Sequence, residues 1–145
     1  MTDDLNSPVQ GTPREIQELE ACRLAEREQA RFYRSLAAQA EESGDAELSQ
    51  RFHEMHADEQ HHFSRLTARL LELGVVPSEP SGREHMDASI QGWATIARER
   101  ERAEVRRYEE LLSSALDETT SALIREILGV EIHHAADLGG KWTMA

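Results

Sequence analysis

Glu59-Gln60-His61-His62 and Glu131-Ile132-His133-His134 decide how this chain is read, because the same Glu-x-x-His tetrapeptide occurs twice, each time in a strongly helical stretch. Glu and His three apart on a helix share one face. Working outward, each copy is preceded by a matching segment: Glu26 to Tyr33 before the first and Glu101 to Tyr108 before the second, both reading E-R-x-x-x-R-x-Y. The pattern predicts an all-α fold: a four-helix bundle built from an internally duplicated helical hairpin.

The organisation of the chain agrees. Residues 1–12 are polar, contain Pro8 and Gly11 and show no periodicity, which predicts a flexible tail. Thr12-Pro13 followed by Glu15 reads as a helix start, with Thr12 as N-cap. The first helix is expected over Pro13 to Glu42 and the second over Ala46 to Leu73, separated by Ser43-Gly44-Asp45 and stopped at Gly74. Gly74 to Gly82 carries two prolines and is the one clear linker. The third and fourth helices are expected over Asp87 to Leu116 and Thr120 to Leu138, leaving 139–145 as a short frayed tail that contains Trp142.

Composition narrows the function classes. With 145 residues, 30% of them charged and 39% hydrophobic, the chain fits one domain with its own core. A formal net charge of −12 argues against a nucleic-acid partner and against docking on anionic membranes. No apolar run approaches the roughly 20 residues that cross a bilayer, and Met1-Thr2-Asp3-Asp4 lacks the features of a signal peptide, so a cytoplasmic location is expected. Cys22 is the only cysteine, which leaves no intrachain disulfide and no cysteine metal site.

Helical phase then selects among the many acids. Ile16, Leu19, Ala30, Tyr33, Ala37 and Ala40 form one stripe that includes Glu26 but not Glu28. Phe52, Met55, Leu66 and Leu73 form a second, with Glu59 and His62 in its gap. Ile90, Ala94, Ala97, Tyr108, Leu111 and Ala115 form a third around Glu101 and Glu104, and Ile124, Ile127 and Leu138 a fourth around Glu131 and His134. Each apolar stripe is interrupted near its middle by carboxylate, or by carboxylate with imidazole.

Burying a carboxylate without a partner costs several kcal/mol, and five inward carboxylates would also repel one another. The in-phase positions contain almost no Arg to neutralise them. Two divalent cations supply the missing charge, and oxygen donors with one imidazole per metal suit iron or manganese, with zinc also possible. His53, His56, His61 and His133 read as surface residues or as side chains that support the ligands from outside. His56, one turn before Glu59, is the extra imidazole expected nearest the site. Tyr33 and Tyr108, two turns after Glu26 and Glu101, are expected to be buried with their hydroxyls on ligand carboxylates.

The order Glu, Glu-x-x-His, Glu, Glu-x-x-His along four helices resembles the ferritin-like di-iron carboxylate superfamily. The resemblance covers nearly the whole span from the first helix to the fourth. It implies that Glu26, Glu59, His62, Glu101, Glu131 and His134 hold two Fe ions, with Glu59 and Glu131 as bridges. Glu104, one turn after Glu101, resembles the additional glutamate of rubrerythrins, which there serves as a seventh ligand when an iron changes partners during peroxide reduction. Glu104, Tyr33 and Tyr108 are thereby the candidate catalytic residues. The implied activity is oxidation of Fe(II), or reduction of hydrogen peroxide or dioxygen, with an unidentified electron donor because the cysteine-rich rubredoxin domain is lacking. The fifth short helix of bacterioferritins is also lacking. A ferroxidase serving an iron store is the second function the pattern allows, and a non-catalytic helical interaction module the third.

Connection length bears on assembly. If the second and third helices run parallel, about 40 Å separates Leu73 from Asp87, and the intervening chain reaches at most about 43–47 Å. That near-equality predicts a homodimer, with exchange of hairpins through Pro77 to Gly82.

Overall fold

The computed structural model describes residues 12–78 and 89–139. The expected N-terminal tail before Thr12, most of the Pro/Gly linker, the expected start of the third helix at Asp87, and the end of the chain with Trp142 lie outside the described residues. Four helices account for nearly all the rest: α1 Pro13–Glu42, α2 Ala46–Glu72, α3 Trp93–Leu112 and α4 Glu118–Leu138. No described helix is long and apolar enough to cross a membrane.

The helix ends follow from local chemistry. Thr12 Oγ1 accepts from the Glu15 amide at 3.0 Å, and Pro13, which has no amide hydrogen to leave unpaired, opens α1. Asp45 and Asp117 do the same for α2 and α4, accepting from Leu48 N at 3.1 Å and Thr120 N at 2.8 Å. Because Asp117 is the cap, α4 begins at Glu118, two residues before the expected Thr120. The third helix is shorter than expected at both ends. Ser89–Gly92 is non-helical and Gly92 takes φ +71, a left-handed value that lets the chain turn into α3. At the other end the Ser113 and Ser114 hydroxyls bond back to the carbonyls of Glu110 and Leu111. Those bonds compete with further helix, leaving Ala115 exposed outside it.

Cross-helix bonds fix direction. Arg23 reaches Thr67 and Ser49 reaches the Ala37 carbonyl, so α1 and α2 are antiparallel. Tyr108 reaches Glu26 while Tyr33 reaches Glu101, so α1 and α3 are antiparallel as well. The second and third helices therefore run parallel, as the length argument assumed. Ser78 is tied to the first half of α1, donating its amide to Glu20 and accepting from Arg23, and Ile90 donates to Gln39 near the end of α1. The climb between those anchors is about 24–28 Å along the helix. The chain from Ser78 to Ile90 reaches about 40 Å, so hairpin exchange is not required by length.

Two apolar layers fill the bundle on either side of its polar middle. Leu19, Leu66, Leu70, Leu111, Ile124 and Ile127 pack with Tyr108 in one; Phe32, Leu36, Phe52, Met55, Ala97 and Leu138 pack with Tyr33 in the other. Each layer thus holds one tyrosine. Burying these side chains removes water from both sides of the acids between them, which raises the cost of any unpaired charge there.

Candidate metal centre

Glu26 of α1, Glu59 and His62 of α2, Glu101 and Glu104 of α3, and Glu131 and His134 of α4 are all buried, and Glu26, Glu59, Glu101 and Glu131 have no exposure at all. Glu28, the out-of-phase neighbour, faces solvent. Helical phase therefore picked the inward acids correctly.

These residues converge on two points. His62 Nδ1 lies 3.2 Å from Glu131 Oε2, 3.3 Å from Glu59 Oε1 and 3.4 Å from Glu26 Oε1. His134 Nδ1 lies 3.3 Å from Glu131 Oε1, 3.5 Å from Glu59 Oε2 and 3.6 Å from Glu101 Oε1. Glu59 and Glu131 each give one oxygen to either point, which is the disposition of a bridging carboxylate. A single imidazole hydrogen cannot serve three carboxylates. A cation with donors about 2.1 Å away holds neighbouring donors about 3.0 Å apart in an octahedral set and about 3.4 Å apart in a tetrahedral one. The observed separations match that spacing, and two sets, Glu26, Glu59, His62, Glu131 and Glu59, Glu101, Glu131, His134, could each hold a metal ion.

Unpaired atoms give an independent test of fit. Glu26 Oε1, both oxygens of Glu59, Glu101 Oε1, Glu131 Oε1 and His134 Nδ1 are buried and have no hydrogen-bond partner among the described residues. Native interiors rarely leave even one such atom. The same carboxylates use their remaining oxygens well: Tyr108 donates to Glu26 Oε2 and Tyr33 to Glu101 Oε2, both at 2.6 Å. Each tyrosine bonds the acid of the other hairpin. Burial and the nearby carboxylates push both phenols well above their usual range, so they remain donors.

Protonation shows what the cluster does without a cation. Burial, together with Glu131 and Glu26, drives Glu59 well above the carboxylate range, and burial raises Glu131 to about 7. Burial disfavours a charged His62, yet Glu131, Glu26 and Glu59 outweigh it and hold the imidazole at about 12. Burial likewise works against Glu26 and Glu101, but His62 and His134 beside them keep these acids below their ordinary value. Protons are thus shared among acids that lack enough positive charge.

Glu104 belongs to neither donor set. It is buried, its Oε1 is unpaired, and Arg107 is 3.9 Å away; burial and the charges of Glu26 and Glu131 raise its carboxyl to about 8. His56 belongs to neither donor set, and its Nδ1 bonds the Ala30 carbonyl at 2.9 Å. His53, His61 and His133 are exposed. Cys22 is fully buried, and burial pushes its thiol to about 12, so it packs as a small apolar group.

Three contacts at the site were not anticipated from the sequence. Asp58 Oδ2 accepts from His134 Nε2 at 2.9 Å, Gln29 Nε2 donates to Glu101 Oε2 at 3.1 Å, and Arg100 Nε donates to Gln29 Oε1. Aligning the two repeats would have flagged all three, since their counterparts are Val130, Glu104 and Ala25. Compared with known proteins, the chain matches no family model and no curated sequence.

Proposed function

We propose that this chain is a rubrerythrin-like di-iron protein whose carboxylate-bridged centre oxidises Fe(II) and reduces hydrogen peroxide or dioxygen. The observation that supports the reading best is the set of unpaired donor atoms aimed at two points that share Glu59 and Glu131. Glu26, Glu59, His62 and Glu131 would hold one iron, and Glu59, Glu101, Glu131 and His134 the other. Bound there, two Fe(II) ions supply one electron each, the number that converts hydrogen peroxide and two protons to two waters.

The chain's own residues do the rest. Tyr33 and Tyr108 orient Glu101 and Glu26 from opposite sides, so the terminal carboxylates keep one oxygen inward. The two apolar layers exclude bulk water. Glu104, a buried carboxyl whose Oε1 has no hydrogen-bond partner among the described residues, can either pass on a proton or turn inward as a further oxygen donor.

Anaerobic Fe(II) titration of metal-free protein, followed by separate additions of peroxide and dioxygen under optical spectroscopy, tests the proposal. It expects two Fe(II) per chain and faster oxidation by peroxide, with Glu104→Ala slowing the peroxide reaction more than the dioxygen reaction. Unchanged rates for both oxidants in Glu104→Ala would remove the rubrerythrin-like part of the reading. A shell of many subunits by native mass would favour the ferroxidase reading, and protein purified without chelator that holds no metal would leave only the interaction module.

A further inference from the structure

The two donor sets look equivalent in sequence, each with a Glu, a Glu-x-x-His and a Tyr, yet the structure braces them unequally. Three of the positions near the donors at which the repeats differ carry polar contacts to the site: Arg100 stands where the first copy has Ala25, Gln29 where the second has Glu104, and Asp58 where the second has Val130. Asp58 and Gln29 contact the set containing Glu101 and His134 directly, and Arg100 holds Gln29.

Glu101 Oε2 accepts two hydrogen bonds, from Tyr33 at 2.6 Å and from Gln29 Nε2 at 3.1 Å. Gln29 is 1% exposed, and its own oxygen is held by Arg100, whose guanidinium lies over the Phe32 ring 4.7 Å from its centre. Asp58 holds the far nitrogen of His134 at 2.9 Å, which fixes the ring and leaves Nδ1 for the site. The other set has less support. Glu26 Oε2 accepts from Tyr108, and the counterpart of Gln29 in the second copy is Glu104, which has no amide hydrogen to donate to it. Val130 has no side-chain acceptor to offer His62, and among the described residues the polar contacts of that imidazole run through Nδ1.

We infer that Asp58, Gln29 and Arg100 are positioning residues that make the Glu101/His134 position the tight one, filled first and emptied last, and leave the Glu26/His62 position to exchange its metal. The inference rests on the two-metal reading of the site. Its physical basis is that donors already locked in place lose less freedom on binding, and that an anion on the far nitrogen of an imidazole makes the near one a better donor. Partners of this kind typically contribute about 10–100-fold in metal affinity.

The test is an anaerobic titration of metal-free protein with Co(II), read by visible absorption and by calorimetry, so that no turnover is needed. The wild type should take up two equivalents in two resolved steps. His62→Ala should keep the tight step and lose the weak one, and His134→Ala should do the reverse. Asp58→Ala, at a half-exposed position where folding is not at stake, should weaken the tight step about tenfold and leave the weak step unchanged; Gln29→Leu should act in the same direction, and Val130→Asp should narrow the gap by strengthening the weak step. Two equal steps in the wild type, or a tight step unmoved by both Asp58→Ala and Gln29→Leu, would overturn the inference while the two-metal site stands. Failure of the wild type to bind Co(II) at all would overturn both.

Discussion

The Tyr108 hydroxyl, on α3, donates to Glu26 Oε2 on α1 at 2.6 Å, and the other oxygen of Glu26 is left buried and unpaired 3.4 Å from His62 Nδ1. One hydrogen bond thus decides which oxygen of the carboxylate faces inward. Tyr108→Phe should raise the dissociation constant for metal at the Glu26 position about tenfold or more, measured by competition with a chelating dye. Tyr33→Phe should cost less, because Gln29 still holds Glu101. Unchanged affinity in Tyr108→Phe would mean that the phenol is only core packing.

Glu59 and Glu131 each present oxygens to both donor sets, so Glu59→Ala or Glu131→Ala should abolish binding of at least one metal. Glu28→Ala, on the solvent face, should leave metal content unchanged. Equal metal content by elemental analysis in all three variants would defeat the site assignment.

The same burial makes a second prediction with the opposite sign. In metal-free protein Glu59 is crowded by Glu131 and Glu26, and neither of its oxygens is hydrogen-bonded. Glu59→Gln keeps the volume but removes the ionisable group, and with it the cost of protonating a buried acid near neutral pH, so it should raise the melting temperature of the metal-free protein while lowering that of the metal-loaded one. A merely structural polar core would instead lose stability in both forms.

Metal-free stability should also fall as pH rises. Glu104 and Glu131 have folded values raised to about 8 and about 7, and His62 to about 12, all above their ordinary values. Raised groups contribute stability that is complete below the unfolded pKa and is lost as pH climbs toward the folded one. For the two acids this window runs from about 4.5 to about 8, and for His62 it opens near 6.5. Glu26 and Glu101 are lowered, so their contribution is lost only on acidification below the ordinary carboxylate range and does not oppose the trend at pH 5.5–8.5. Each proton released on unfolding-linked titration is worth about 1.4 kcal/mol per pH unit. Thermal melts across pH 5.5–8.5 should show a falling curve without metal and a much flatter one with it; parallel curves would count against cations replacing the shared protons.

All six proposed donors come from one chain, so metal retention should not depend on subunit association. A homodimer, as the sequence reading expected, would pair complete sites. At dilutions where gel filtration gives a monomer, two metals per chain should remain bound. Loss of metal in step with dissociation would restore hairpin exchange.

Four helices, the Thr12 cap and the inward acids were legible in the sequence because each rests on local rules: period, N-cap chemistry and turn residues. Phase alone separated Glu26 from Glu28, since a carboxylate one step off the apolar stripe points to water. The third helix was overextended because Ser113, Ser114 and Gly92 act through local bonds and a left-handed φ that apolar periodicity does not report. The bond of His56 to a backbone carbonyl on another helix is a contact that helical phase does not report either.

By itself, then, the sequence determined the helices and which side chains each turned inward, because these depend on residues three and four apart on one element. Only the tertiary structure decided which hairpin's tyrosine holds which acid, that the connection between α2 and α3 is long enough within one chain, and that Asp58, Gln29 and Arg100 all bear on the same donor set. Those are contacts between residues 51 to 82 apart, set by the antiparallel register of packed helices, and no local pattern encodes a register until the helices have met.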